Sequence, residues 1–319
     1  MTTSPRRRTA GRITAAVAAV ATTALLAACG SSTAASGAPA GASTDTYPTQ
    51  DVVSSIAADP ALKAELPAAV QSSGTLRLGT TLTPGTSGLP HGGQTPDGTN
   101  IGLDVDLRNA VAKVLGVNWQ VENGTFATII PGVQNGKFDV GQDNFGVTKA
   151  REQVVDFATY LNDGQAFLAS NTVTLNSVKD LTDLCGLNVA TTPGSTFQQI
   201  LTTSAAKCAA AGKKPYTMQY FADSGPIFLG LANGKVDVYF GPTLSLKYDA
   251  THVANTKFLS EISTTPVGFV TAKGSPLSKP LSDAVNKLIA TGDYAKIFAK
   301  WGISGSGIPT SQVNPPATL

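Results

Sequence analysis

The sequence predicts an α/β protein of two lobes, and three observations lead there. Short β-patterned runs, such as Thr75-Leu-Arg-Leu-Gly-Thr80 and Trp119-Gln-Val121, alternate with helical patterns, as parallel sheets flanked by helices require. An internal echo suggests two halves: Ile130-Pro-Gly-Val-Gln-Asn-Gly-Lys-Phe-Asp-Val140 has a counterpart in Phe228-Leu-Gly-Leu-Ala-Asn-Gly-Lys-Val-Asp-Val238. In each, a helix ends at Asn-Gly, where left-handed backbone costs little, and a strand follows at Lys-x-Asp-Val. Thr75-Leu-Arg-Leu-Gly-Thr-Thr81 rhymes in the same way with Gly186-Leu-Asn-Val-Ala-Thr-Thr192. Asn-Gly is a common helix stop, so one match could be coincidence; the shared order of strand, helix, Asn-Gly and strand argues against it. Lastly, 319 residues suffice for two ordinary domains, and 42% hydrophobic with 14% charged residues allows sizeable cores.

The N-terminus comes first. Residues 1–12 are basic, an Ala/Val/Leu run follows over 13–26, and Leu26-Ala-Ala-Cys29 closes it. The run is too short to span a bilayer comfortably and reads as a signal peptide over residues 1–28. The last four residues resemble a bacterial lipobox, which implies cleavage before Cys29 and diacylglycerol on its thiol. Two acyl chains anchor stably where one does not. The alternative is an ordinary signal peptide cut nearby, with Cys29 incidental. The formal charge of +2 includes four arginines of this leader; without them 19 basic residues face 21 acidic ones, a net charge of −2. Nothing in that balance calls for nucleic acid as a partner.

Residues 29–46, after Cys29, are almost all Ser, Thr, Ala, Gly and Pro and read as a flexible tether. Residues 47–73 form a helical extension with two short helices, the second starting after Asp59-Pro60. Gly74 opens the fold. A Gly/Pro/Thr-rich loop then runs to Asn100, and His91 within it is expected to be simply exposed. Residues 104–115 carry apolar side chains at helical spacing and stop at Gly116. Phe126 lies on a turn before the first Asn-Gly helix, placed either in a pocket or in the core. Thr192-Pro-Gly-Ser-Thr-Phe197 is a turn into a helix reaching about Ala211. Its first N–H groups, with the Ser195 and Thr196 hydroxyls, would make an anion site or serve only as an N-cap. A strand over 265–272 and helices over 280–290 and 293–301 follow, and 302–319 reads as a loose tail. Cys185 and Cys208 are an even pair in an exported chain, expected to be bridged; two buried free thiols are the alternative. Only two histidines occur, and no metal site or cofactor is expected.

Residues 138–157 concentrate the chemistry. A strand ends in a polar turn, Thr148 is a good N-cap, and Lys149 and Arg151 put positive charge in the first helical turn, where the helix dipole disfavours it. An anion held there by free N–H groups and Arg151 would resolve the mismatch. So would a solvated Arg151 paired with Glu152 or Asp156.

This stretch resembles the signature of the family 3 solute-binding proteins, the amino-acid receptors of ABC importers, and the resemblance runs from about Gly74 to Trp301. It implies a periplasmic-binding-protein-like clamshell of type II, each lobe a mixed sheet flanked by helices, with two hinge crossings. Lobe 1 would be 74–162 plus 266–301, and lobe 2 would be 163–265. It implies that Arg151 grips a ligand carboxylate with Thr196 opposite, beside Asp143, Asn144, Gly146 and Ser195, and that Phe126 packs on the ligand. Two departures stand out. Leu82-Thr-Pro-Gly-Thr-Ser87 replaces the aromatic usual after the first strand. The Asp that normally holds the ligand's amine falls on Pro242, or on Gly241, leaving Asp143 as a possible substitute and the ligand's identity open. The implied protein is a monomeric, lipid-anchored receptor on the extracytoplasmic face of the cell membrane that serves an ABC permease. Gly-x-Ser-x-Gly, His-Glu-x-x-His and phosphate-loop motifs are missing from the sequence, so an enzyme is not expected. A dehydratase-like cleft enzyme and a solute sensor uncoupled from transport are the alternatives.

Overall fold

The computed structural model describes residues 47–319. The segments expected as signal peptide and tether, with Cys29, lie outside the described residues. In the helical extension, α1 (Pro60–Ala64) and α2 (Ala68–Ser73) both follow Asp59. The first helix, not the second, starts at Pro60, because the Asp59 carboxylate accepts the Ala61 and Leu62 N–H groups and proline is pre-set for the first helical position.

The first half then runs β1 (Thr75–Thr81), a small hairpin of β2 (Gly93–Gln94) and β3 (Asn100–Ile101), α3 (Leu103–Leu115), β4 (Asn118–Gly124), α4 (Phe126–Gln134), β5 (Val140–Gly146) and the single turn α5 (Lys149–Glu152). The long strand β6 (Val155–Ser170) leads into the second half: β7 (Asn188–Thr191), α6 (Thr196–Ser204), α7 (Ala206–Ala210), β8 (Thr217–Tyr220), α8 (Gly225–Ala232), β9 (Val238–Pro242) and α9 (Thr243–His252). A second long strand, β10 (Thr256–Ala272), returns to α10 (Ser278–Thr291) and α11 (Asp293–Lys300). The helix expected to run from Thr196 to about Ala211 is broken between α6 and α7.

Apart from the β2–β3 pair, the strands join in one sheet of order β4-β1-β5-β10-β6-β9-β7-β8. Its outer parts match: β1 is parallel to β4 and β5, and β7 is parallel to β8 and β9. Between them β6 and β10 form an antiparallel ribbon, with Asn162 opposite Pro266 and Asp163 opposite Thr265 at its middle. The fold is the two-lobed type II clamshell, its lobes joined by these two strands.

The echo in sequence is an echo in packing. Asp139 accepts the Arg77 N–H at 2.8 Å, and Asp237 accepts the Asn188 N–H at 2.7 Å. In both halves the Asp of Lys-x-Asp-Val therefore locks the new strand's register onto its parallel neighbour. A Cβ on Gly132 would meet the Phe138 ring at 2.5 Å, and one on Gly230 would meet Val236 at 2.6 Å. Glycine in each helix thus lets the next strand's first apolar side chain pack against the helix backbone.

The lobe 1 core lies between the sheet and α3, α10 and α11, with Leu76, Leu107, Val111, Leu281 and Phe298 fully buried. Lobe 2 has Phe167, Val189, Leu201 and Phe240 on one sheet face and Leu168, Ile227, Leu231 and Leu246 on the other. Cys185 and Cys208 are disulfide-bonded, tying α7 to the 3₁₀ turn before β7.

Residues 302–319 are not a loose tail. Thr159 N–H donates to the Gln312 carbonyl, Phe157 N–H to Asn314 Oδ1, and Lys149 N–H to the Leu319 carbonyl. The cause is an open edge. β9 pairs with β6 only over residues 165–169, so the lobe 1 half of β6 has free backbone groups that the tail satisfies.

Candidate functional site

The ribbon's midpoint is the floor of a cleft between the lobes. On the lobe 1 side, β5 ends at Gly146 and the chain turns through Thr148, whose hydroxyl accepts the Arg151 N–H at 3.1 Å. That cap aims Arg151 inward. Its Nη1 donates to the Gly146 carbonyl at 3.0 Å, and its Nη2 donates across the cleft to the Gly194 carbonyl at 3.3 Å. The guanidinium carbon lies 5.5 Å from the Phe126 ring and 5.6 Å from the Phe145 ring, within reach of a cation–π attraction. Burial pushes the Arg151 pKa down to about 10, opposed by the Asp143 charge, so the group stays cationic at neutral pH. The guanidinium, more than the helix end, offers donors to the cleft. α5 is only one turn, and Lys149 N–H is already bonded to the tail. Neither Glu152 nor Asp156 pairs with Arg151; Asp156 is bonded to Lys273 instead.

Asp143 and Asn144 stand on the same strand. Asp143 Oδ1 accepts the Thr81 hydroxyl at 3.0 Å, while Oδ2 is buried with no partner among the described residues. Burial raises its pKa to about 7. Asn144 adopts left-handed backbone at φ 51, which asparagine tolerates better than most residues, and its amide donates to Asp163 Oδ2 at 2.8 Å. At Gly146 a Cβ would stand 3.1 Å from the Thr265 methyl, so a side chain there would crowd the hinge.

From lobe 2, the turn before α6 brings Ser195 and Thr196 opposite Arg151. The Ser195 hydroxyl accepts the Gln198 N–H at 3.1 Å and donates to the Thr192 carbonyl at 2.6 Å. It is committed to capping its own helix, which leaves Thr196 as the hydroxyl residue of this turn lining the cleft without that duty. Gly194, at φ +75, stands against Ala127 of the other lobe, 3.2 Å from where its Cβ would be. Pro242 rather than Gly241 lines the cleft at the end of β9. Phe126, Asp143, Asn144, Gly146, Arg151, Ser195, Thr196 and Pro242 are all brought to this one cavity.

His91 departs from expectation. It is buried at 7% exposure, not exposed in its loop, and its Nε2 meets Asp163 Oδ2 at 2.9 Å while Nδ1 faces Asp104 at 3.5 Å. Burial would lower its pKa, but the two carboxylates outweigh burial and raise it to about 10. Asp163 is the hinge's polar hub: its other oxygen accepts the N–H groups of Gly164 and of Leu244 at the start of α9. Ser245 on α9 donates to the Gly88 carbonyl of the long loop, a further link between lobes. His91, Asp163, Tyr239 and Asp249 line the cleft without having been singled out from the sequence as binding residues. For Asp249 a signal existed: Pro242, Ser245 and Asp249 recur at the spacing of one helix face.

Two lobes joined by two strands around a polar cleft define a solute-binding protein. The chain belongs to the bacterial extracellular solute-binding proteins, family 3, whose profile matches residues 83–304. It is similar to the arginine-binding protein of Corynebacterium glutamicum, 28% identical over 227 residues that cover 68% of this chain and 72% of that protein. Among solved structures, an ancestral arginine-binding protein bound to arginine is 31% identical with a TM-score of 0.64, covering 72% of this chain and 98% of that one. An ancestral amino acid-binding protein described as a precursor of cyclohexadienyl dehydratase is 26% identical with a TM-score of 0.64, covering 73% of this chain and 97% of that one.

Proposed function

We propose that this protein captures a small carboxylate-bearing solute, an amino acid or a close relative, between its lobes and delivers it to an ABC permease. The observation that carries the reading is Arg151. It is a half-buried guanidinium aimed into the cleft, bonded to one carbonyl from each lobe and to no carboxylate. A carboxylate in the cleft would gain charge-assisted hydrogen bonds from it and further donors from Thr196 and the α6 N-terminus. Groups from both lobes would then hold one ligand, which couples binding to closure. The similarity to arginine-binding proteins supports an amino acid as the solute.

The rest of the proposal comes from the leader and from the family: Cys29 is lipidated and the receptor is tethered to the extracytoplasmic face of the membrane, while it acts as a monomer and the permease supplies the ATP-driven step. Metabolic labelling with a radiolabelled fatty acid, lost in a Cys29→Ala protein, checks the anchor. Calorimetry against amino acids and small acids, paired with small-angle scattering, checks capture: a ligand should bind and compact the protein. Binding without compaction would refute the clamshell mechanism, and no binding across the panel would refute the receptor reading.

One observation favours a second reading, a cleft enzyme. Asp143 is a buried carboxyl with a pKa near 7, the poise of a general acid or base. Turnover of any bound ligand would establish it; saturable binding without turnover supports the receptor.

A further inference from the structure

One buried carboxylate in the cleft plays no part in the site as described so far. Asp249 sits on α9 on the face it shares with Ser245, in line with Pro242 just before the helix, and all three line the cavity. It is 1% exposed, and neither of its oxygens has a hydrogen-bond partner among the described residues. Buried polar groups are almost always satisfied, so one with both oxygens bare needs an explanation. The fold supplies none. α9 is anchored by Leu244 N–H on Asp163, by Ser245 on Gly88 and by buried Leu246, none of which involves the Asp249 side chain.

Charge in the cavity points the same way. Asp104, Asp143, Asp163, Asp223 and Asp249 line it, against Arg108, Arg151 and His91. His91 faces Asp163 and Asp104, Arg108 feels the Asp104 charge, and Asp143 feels the charges of His91 and Arg151. Asp223 is exposed. That leaves Asp249 buried with no cation beside it. The ionisable group that feels its charge is the Tyr239 phenol on β9, itself buried. Pro242, which ends that strand, has no side chain able to pair with a cation.

We infer that Asp249 holds a cationic group of the ligand, an ammonium or guanidinium, so that the ligand bears a cation as well as the carboxylate facing Arg151. The inference rests on the receptor reading above. It divides the work between lobes: the anion is gripped chiefly from lobe 1, and the cation is gripped from lobe 2. A ligand with both charges then links the lobes through two ion pairs, while a plain acid makes only one. Burial raises the Asp249 pKa well above the carboxylate range in the free protein, and a cation beside it favours the ionised form.

The test is calorimetry of wild type and Asp249→Asn with the twenty common L-amino acids, glutarate and succinate, in two buffers of different ionisation enthalpy. Wild type should bind an amino acid, release a proton on binding, and bind the two diacids far more weakly. Asp249→Asn should lose at least about thirty-fold in affinity, lose the proton release, and melt no lower than wild type when free. Affinity within threefold of wild type overturns the role of Asp249 and leaves the receptor reading standing. Diacids that bind as tightly as any amino acid overturn the cation and leave the carboxylate. A free Asp249→Asn protein that melts well below wild type gives the carboxyl a structural role and also overturns the inference. If wild type binds nothing in the panel, the receptor reading falls and takes this one with it.

Discussion

Replacing Arg151 with methionine removes the guanidinium but keeps an apolar stem against the Phe126 and Phe145 rings. In the free protein two effects oppose. Two charge-assisted hydrogen bonds to the Gly146 and Gly194 carbonyls are lost, each worth about 1.5–3 kcal/mol when fully formed. Against this, a cation whose pKa burial depresses to about 10 no longer has to be desolvated. The Gly194 bond is long and exposed and contributes little, so the free protein's melting temperature should move by only a few degrees. Binding has no such compensation. The ligand carboxylate would be buried without its charged partner, a loss of about 2–5 kcal/mol. That corresponds to roughly thirty-fold to several-thousand-fold in Kd by calorimetry. Arg151→Lys should recover only part of it, because an ammonium cannot reproduce the two-pronged geometry. Wild-type affinity in Arg151→Met would refute the assignment. A collapse of the free protein's melting temperature with affinity intact would show that Arg151 serves the fold.

Three further outcomes are expected. Gly194→Ala forces left-handed backbone on alanine and drives a methyl toward Ala127 of the opposite lobe, so ligand affinity should fall by about tenfold, roughly 1.4 kcal/mol, and scattering should show incomplete closure; unchanged affinity would place the lobes further apart than in this structure. Asp143 holds its proton to about pH 7 when folded but to only about pH 4 when unfolded, so it makes the free protein less stable as pH rises between those values; Asp143→Asn should remove that loss, seen as a smaller drop in melting temperature from pH 5 to pH 8. Replacing both Cys185 and Cys208 with serine should cost roughly 3 kcal/mol of stability by the loop-entropy argument and leave ligand affinity nearly unchanged, because neither lines the cleft; equal stability with and without the bridge would contradict it.

Much of this protein was legible from neighbours in the chain. Caps at Asp59 and Thr148, the stops at Asn135-Gly136 and Asn233-Gly234, and the alternation in β1 are interactions over a few residues, and sequence spacing records them directly. The repeat of those signals in two halves carried the lobes. The eight residues picked for the cleft came together because they sit at strand ends and helix starts, where a clamshell places its opening.

Tertiary structure decided what depended on distant partners. His91 lies in a loop that looks exposed, but its burial is set by Asp163, 72 positions away. The Gly/Pro-rich tail has no β-pattern, but backbone pairing needs none, and the edge it fills exists only because β9 stops short along β6. α9 went unread for a related reason. Its buried face carries Thr243, Ser245 and Asp249 beside a single leucine, so it shows no apolar stripe. Polar residues look the same in sequence whether they face water or line a cleft, and only the packing of α9 across β6 and β10 turned Asp249 inward.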